Sequence, residues 1–257
     1  MLAPRLQAFL RVSVAGRSLT ERVDPFDCFF HASDPLPNLN YAVPARTPRR
    51  EEVDAALPAL EVAFRERGRV PRFEFVGSYA PDLGSALEAA GYVAEPRTVA
   101  MTCVPDTLLQ PPLPPGARIE MAGLATTDAV LTGLIGMRSR AFGAPDRSAD
   151  PGAVAELRAS WRSFSLALVS FGERVAGCAS LTSEHDGIAE LAGVAVEAEF
   201  RRRGIGGAMA AFLTARAFAA GVACVFLTAG DRAAARVYER AGFAPSPHGV
   251  LEYRKET

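Results

Sequence analysis

Apolar positions recur along this 257-residue chain in two rhythms, and the rhythm changes many times. Short alternating or continuous apolar runs predict strands near 26–32, 40–45, 72–77, 99–104, 119–121, 164–171, 175–182, 189–196, 223–228 and 250–254. Between them the spacing becomes helical. Val53, Ala56, Leu57, Leu60 and Phe64 mark a helix over 51–67, and Val130, Leu131, Leu134 and Met137 mark another over 127–142. A first helix runs to about Phe9, and others cover Pro81–Ala90, Asp150–Trp161, Ile205–Ala220 and Arg232–Ala241. Gly91, Gly221 and Gly242 close three of them. Pro58 inside the second helix predicts a kink or a later start. Strands and helices mixed in this way predict an α/β protein.

Two features divide the chain. Pro105–Gly116 carries five prolines, too stiff and too poor in donors for a sheet, and reads as an interdomain linker. That gives residues 1–104, a linker at 105–116, and a second domain at 117–257. The halves also resemble one another. At an offset of 151, Phe75 meets Phe226, Glu88 meets Glu239, Ala90 meets Ala241 and Gly91 meets Gly242, which reads as a duplication.

Composition narrows the partners. The net charge is −1, so nothing points to nucleic acid. Lys255 is the only lysine, so the abundance of arginine is a bias of the whole chain. Cys28, Cys103, Cys178 and Cys224 lie far apart in apolar runs, without metal-ligand spacing, as buried thiols of a reducing compartment. No apolar run is long enough to span a bilayer and the N-terminus lacks a signal-peptide core, so a cytoplasmic protein is expected.

The chemistry concentrates between Glu190 and Met209. A strand ending at Val194-Ala195-Val196 is followed by Arg201-Arg202-Arg203-Gly204-Ile205-Gly206-Gly207 and a long helix. The first N–H groups of a helix are unpaired and its dipole makes that end positive, while glycine lets a phosphate approach the backbone. A phosphate or pyrophosphate is the expected guest. The spacing departs from a dinucleotide fold, because Met209 stands at the third glycine position and seven residues separate strand from glycine.

Arg201-x-x-Gly204-x-Gly206 resembles the acetyl-CoA motif of the GNAT superfamily of N-acetyltransferases. Asp231-Arg-Ala-Ala-Ala-Arg-Val-Tyr238-Glu-Arg-Ala-Gly-Phe243 is similar to that family's later motif, with Asp231 where asparagine is usual. The resemblance spans roughly residues 117–255. It implies a GNAT-like fold, a central mixed β-sheet flanked by helices, duplicated here. It implies acetyl-CoA as cosubstrate and direct attack of an amine on the thioester.

On that resemblance, the N–H groups of Arg202 to Gly207 take the pyrophosphate, with Arg201 and Arg202 nearby. The pantetheine arm pairs with Val194–Val196, beside a bulge at Gly193, and one N–H near Val194 faces the carbonyl oxygen. Tyr238 is the general acid, since a tyrosine of pKa about 10 stays protonated. Glu190 is the base, His185 a weaker candidate, and the contact made by Asp231 is in doubt. The acceptor site falls between Met137 and Trp161, where Asp146 and Asp150 would suit a cationic amine. In the first half, Arg50-Glu51-Glu52-Val53 replaces the glycines and Leu87 the tyrosine, so that half is expected to have lost its acyl-CoA site. A small-molecule or peptide amine is the implied partner, with no membrane. The oligomeric state stays open, a homodimer included. The other reading is an acyl-CoA-binding module without turnover.

Overall fold

The computed structural model describes residues 2–15, 18–32, 37–96, 98–143, 145–162 and 164–256. The chain divides into two compact units, Met1–Ala100 with Ser246–Thr257 and, unbroken between them, Met101–Pro245.

The first unit contains α1 (Leu2–Ala15), β1 (Leu19–Val23), β2 (Phe26–Phe30), β3 (Tyr41–Pro44), α2 (Arg50–Glu66), β4 (Arg72–Val76), α3 (Leu83–Ala89) and β5 (Tyr92–Ala94). Helix α2 begins at Arg50 and continues through Pro58, so the later start is not taken. Its stripe of Val53, Ala56, Leu57, Leu60 and Phe64 packs on Phe26, Phe30, Phe73 and Phe75 of the sheet.

The second unit opens with β6 (Val99–Cys103), which starts just ahead of the division, and continues through β7 (Ala117–Met121), α4 (Asp128–Phe142), α5 (Ala153–Ser160), β8 (Phe164–Phe171), β9 (Arg174–Thr182), β10 (Ile188–Val196), α6 (Ile205–Ala219), β11 (Cys224–Ala229), α7 (Arg232–Glu239) and β12 (Ala244–Pro245). The last strand, β13 (Val250–Lys255), returns to the first unit.

The strand orders make the duplication visible. One sheet runs β1-β2-β3-β4-β13-β5, the other β12-β6-β11-β10-β9-β8-β7. β4 and β11 hold equivalent places, and so do β13 and β6, β5 and β12. In both sheets the third step, counted from the β5 and β12 edges, is a parallel pairing, Ala42 with Phe73 and Glu190 with Phe226. The fold is therefore a duplicated mixed α/β arrangement.

Two expected boundaries are corrected. The final strand does not complete the second sheet: Leu251 pairs with Phe75 and Tyr253 with Ala94. Strand β6, read as part of the first half, joins the second sheet. The two strands are counterparts in a duplicated chain, so their local patterns do not say which sheet each completes. Side chains do. Tyr253 stacks on Phe75 and donates to Glu88 at 3.2 Å, and Lys255 pairs with Glu61 at 3.0 Å.

The proline-rich stretch is also not a free linker. Pro105–Thr107 forms a 3-10 turn, and Leu109 N–H donates to Ala241 O at 3.1 Å. A Cβ placed on Gly207 would lie 3.6 Å from the Pro111 ring. The stretch is a strap laid over the end of α7 and the start of α6, within the second unit. Prolines suit it because a strap along helix ends needs few N–H donors.

Candidate functional site

Strands β10 and β11 run parallel only from Ile188 to Glu190, against Cys224 to Phe226. Beyond Glu190 no further register holds them together, although β11 continues to Ala229. On its other side β10 slips in register against β9 between Ala192 and Ala195. Gly193 sits in this bulge at φ 61°. That left-handed conformation is open to glycine and strained for a residue with a Cβ. The bulge and the parting of the strands, both expected from Gly193, are thus present in the backbone.

A short 3-10 turn, Ala198–Phe200, then leads into the basic loop. Arg201 Nε donates to Val196 O at 3.0 Å, and Arg203 donates to Glu199 O at 3.1 Å. These two arginines hold the loop's own backbone. Arg202, at φ 61°, and Gly204, at φ 84°, make the left-handed turns that start α6. The first i→i−4 bond of that helix runs from Ala208 N–H to Gly204 O at 3.0 Å. The N–H groups of Ile205, Gly206 and Gly207 precede it and have no partner within the helix.

Ile205 and Gly206 border open space. A cavity of about 260 Å³ is lined by Val194, Val196, Phe200, Arg201, Arg202, Gly204, Ile205, Gly206, Ala234, Val237, Tyr238 and Arg240. Side chains do not plug it at the helix start, because glycines stand there. A Cβ on Gly206 would lie 3.3 Å from Val237 Cγ1, and so narrow the gap between α6 and α7. Three fixed charges, Arg201, Arg202 and Arg240, line it. The residues present fit a pyrophosphate, on Gly204, Gly206 and the arginines, and an extended apolar arm, along Val194, Val196 and Val237.

Tyr238 is half-buried in this cavity, its ring edge-on to Phe243 with centroids 6.2 Å apart. Burial pushes its hydroxyl pKa above the ordinary tyrosine value, so it stays a proton donor throughout the neutral range. Glu190 stands at the last paired position before the strands part, where its N–H donates to Thr182 Oγ1 at 2.8 Å. It does not line the cavity.

The remaining sequence-picked residues separate. Ala195 is buried on the opposite face, in a core with Leu131, Leu134 and Cys178. Gly207 packs against Val237 O and Pro111. Arg203 lies over the Phe200 ring at 5.4 Å. Asp231 accepts from Ala234 N–H at 2.7 Å as the N-cap of α7, and does not line the cavity. Capping needs only an acceptor, which explains why aspartate serves where an asparagine was expected. His185 lies in the turn before β10, where its backbone pairs with Ile188.

Sequence reasoning missed Ala234, Val237 and Arg240. Ala234 stands four residues before Tyr238 on one helix face, and the spacing was the signal that would have found it. The acids of the α4–α5 connection are already matched. Asp146 accepts from Ser148 N–H at 2.8 Å and Asp150 pairs with Arg147 at 2.9 Å. Ala144 of that connection lies outside the described residues.

The equivalent places in the first unit are filled. Gln7 of α1 is 1% exposed; it donates to Pro44 O at 2.9 Å and accepts from Val76 N–H at 2.9 Å. It thus bridges the ends of β3 and β4. At the start of α2 the Glu52 carboxylate accepts from Arg49 N–H at 2.8 Å and from Arg46 at 2.9 Å. The Arg46 guanidinium is the main reason its pKa falls to about 2. An internal carboxylate stands where the second unit offers bare donors.

Comparison with known proteins bears on the family and the fold. Residues 133–243 match the Acetyltransferase (GNAT) family. No curated protein matches the sequence. Among solved structures, a GCN5-related N-acetyltransferase from Kribbella flavida superposes with a TM-score of 0.82 at 22% identity, over 100% of this chain and 96% of that one. One from Sphaerobacter thermophilus gives 0.66 at 17%, over 90% and 76%. A tandem GNAT protein from the clavulanic acid biosynthesis pathway gives 0.63 at 16%, over 90% and 79%.

Proposed function

For a chain whose residues 133–243 match the GNAT family, we propose an N-acetyltransferase that moves an acetyl group from acetyl-CoA to an amine. The observation that carries this reading is a single cavity that gathers the start of α6, Arg201, Arg202 and Arg240, and Tyr238, whose raised pKa keeps it a proton donor. Ile205, Gly206 and Gly207 would hold the pyrophosphate, with Arg202 and Arg240 adding charge that does not titrate. Val194 and Val196 would line the pantetheine arm, and the bulge at Gly193 gives the thioester its slot.

The amine nitrogen attacks the thioester carbon, a C–N bond forms and the C–S bond breaks. The departing thiolate takes the Tyr238 proton. The amine gives up its own proton toward Glu190, through water, since Glu190 does not line the cavity. That same placement favours one second reading, an acyl-CoA-binding module without turnover. The first unit is assigned no acyl-CoA site, because Gln7 and Glu52 occupy its counterparts.

Two substitutions test the reading. Tyr238→Phe should lower kcat about 100-fold, within the range for a lost general acid, and leave the acetyl-CoA Kd within about two-fold, the hydroxyl being asked to act only on the leaving group. Gly204→Glu puts a side chain at φ 84° and a carboxylate at the helix start, and should raise the Kd at least about ten-fold. Calorimetry with acetyl-CoA and release of CoA thiol on an amine panel measure both. Wild-type values in both variants would sink the proposal.

A further inference from the structure

Helix α4 turns Leu131, Leu134 and Met137 toward β8–β10, where they pack with Leu166, Cys178 and Ala195. Arg138 follows Leu134 by four residues and Leu131 by seven. At that spacing it continues the apolar stripe, a place where a bare charge is costly. Its side chain is half-buried and reaches the bulge. A Cβ on Gly193 would lie 3.8 Å from Arg138 Nη2 and 3.6 Å from Ser180 Oγ. The next residue, Val194, lines the cavity that holds Tyr238. Arg138 therefore stands beside one bulge residue and the cavity beside the other.

No hydrogen bond or ion pair engages the Arg138 side chain among the described residues. Its neighbours are matched. Arg140 pairs with Glu197 at 2.6 Å, Arg147 with Asp150 and Glu156, and Arg158 with Asp128 at 2.8 Å. Of the two acids that the sequence offered to a cationic acceptor, Asp150 is neutralised by Arg147 and Asp146 accepts from Ser148 N–H. What is left beside the bulge is an unmatched guanidinium fork, the group best shaped for a carboxylate.

We propose that Arg138, with the Ser180 hydroxyl, binds a carboxylate on the acceptor, so that the substrates are amines bearing a carboxylate, free amino acids being the plainest class. This rests on the acetyl-transfer reading above and names its acceptor. The bonds made and broken are those already given; Arg138 orients the acceptor and exchanges no proton.

The test uses the full chain with acetyl-CoA. Each of the common α-amino acids is compared with its amide and its decarboxylated amine, reading released CoA thiol. At least one amino acid should exceed both analogues by ten-fold or more in kcat/KM. Arg138→Gln should raise KM for that amino acid at least ten-fold, leave its amide unaffected and keep the acetyl-CoA Kd within two-fold. Arg138→Lys should fall between, keeping charge without the fork. The unchanged acetyl-CoA affinity reports that the variants are folded. The proposal is overturned if amides serve as well as acids, if acetyl-CoA binds without turnover of any amino acid, or if Arg138→Gln leaves KM unchanged. A preference for malonyl-CoA over acetyl-CoA that Arg138→Gln removes would place the carboxylate on the acyl chain and overturn the acceptor assignment. Failure of acetyl-CoA to bind at all is read separately by calorimetry and removes the acetyl-transfer reading itself.

Discussion

Gly242 looks in the sequence like an ordinary helix stop, and that is half of its role. A Cβ there would lie 1.9 Å from Thr107 O and 2.8 Å from Leu109 N, inside the strap. Gly68 also has a positive φ, yet a Cβ on it would meet nothing within 4 Å. The pair separates two costs. Gly68→Ala should lose about 1–2 kcal/mol from backbone strain alone. Gly242→Ala adds overpacking against backbone that cannot rotate away, for a total of about 3–5 kcal/mol. Urea unfolding of the two variants measures the difference, and equal losses would mean that the strap is not seated there. At this scale the sequence was legible where a motif constrains several residues together. Gly204, Gly206, Val194 and Tyr238 all reach one cavity. It was not legible at Asp231, whose carboxylate is taken up by capping, nor at Arg138. The chain is so rich in arginine that one more on a helix carried no signal until its unmatched neighbours could be seen.

Element by element, periodicity placed nearly every helix and strand within a few residues, and missed β1, β5 and β12, which are short or exposed. It could not choose partners for strands. The pairing of β13 with β4 sets Glu74 directly opposite Glu252, around Arg72, which is 3% exposed. Arg72 lies 3.2 Å from Glu74, 3.1 Å from Glu95 and 3.0 Å from Glu252. Three carboxylates share one buried cation. Burial raises the Glu74 pKa above the usual carboxylate range despite Arg72. The sign follows. A carboxyl whose folded pKa is raised costs nothing while both states are protonated, and destabilises the fold as pH climbs through its ordinary value toward the raised one. Glu74→Gln should therefore match the wild type near pH 4 and be more stable than it at pH 7–8, in thermal melts across that range. Arg72→Met should do the opposite, losing about 3–5 kcal/mol at neutral pH by leaving buried acids uncompensated. A Glu74→Gln curve parallel to the wild type at every pH would show that Glu74 ionises as freely folded as unfolded.

Over the whole molecule the duplication was readable from Phe75, Glu88, Ala90 and Gly91 recurring at one offset, and the structure bears it out in two equivalent strand orders. The domain limits were not readable, because a duplicated chain contains each strand pattern twice. A cut at the prolines leaves residues 117–257 without β6, which stands between β11 and β12, and without the strap bonded to Ala241. It also keeps β13, whose partners β4 and β5 are then gone, so that Val250 and Tyr253 lose the cover that holds them at 8% and 7% exposure. Unpaired edges and uncovered apolar side chains favour association over folding. Residues 99–245 have the reverse balance, since β6 through β12 and the strap are one continuous stretch. Expressed alone, 99–245 should melt cooperatively and bind acetyl-CoA, and 117–257 should aggregate or melt without a sharp transition. Circular dichroism melts with acetyl-CoA calorimetry on both fragments decide it. A cooperative, ligand-binding 117–257 would mean that β6 is dispensable to the second sheet and that the proline-rich stretch is the true boundary.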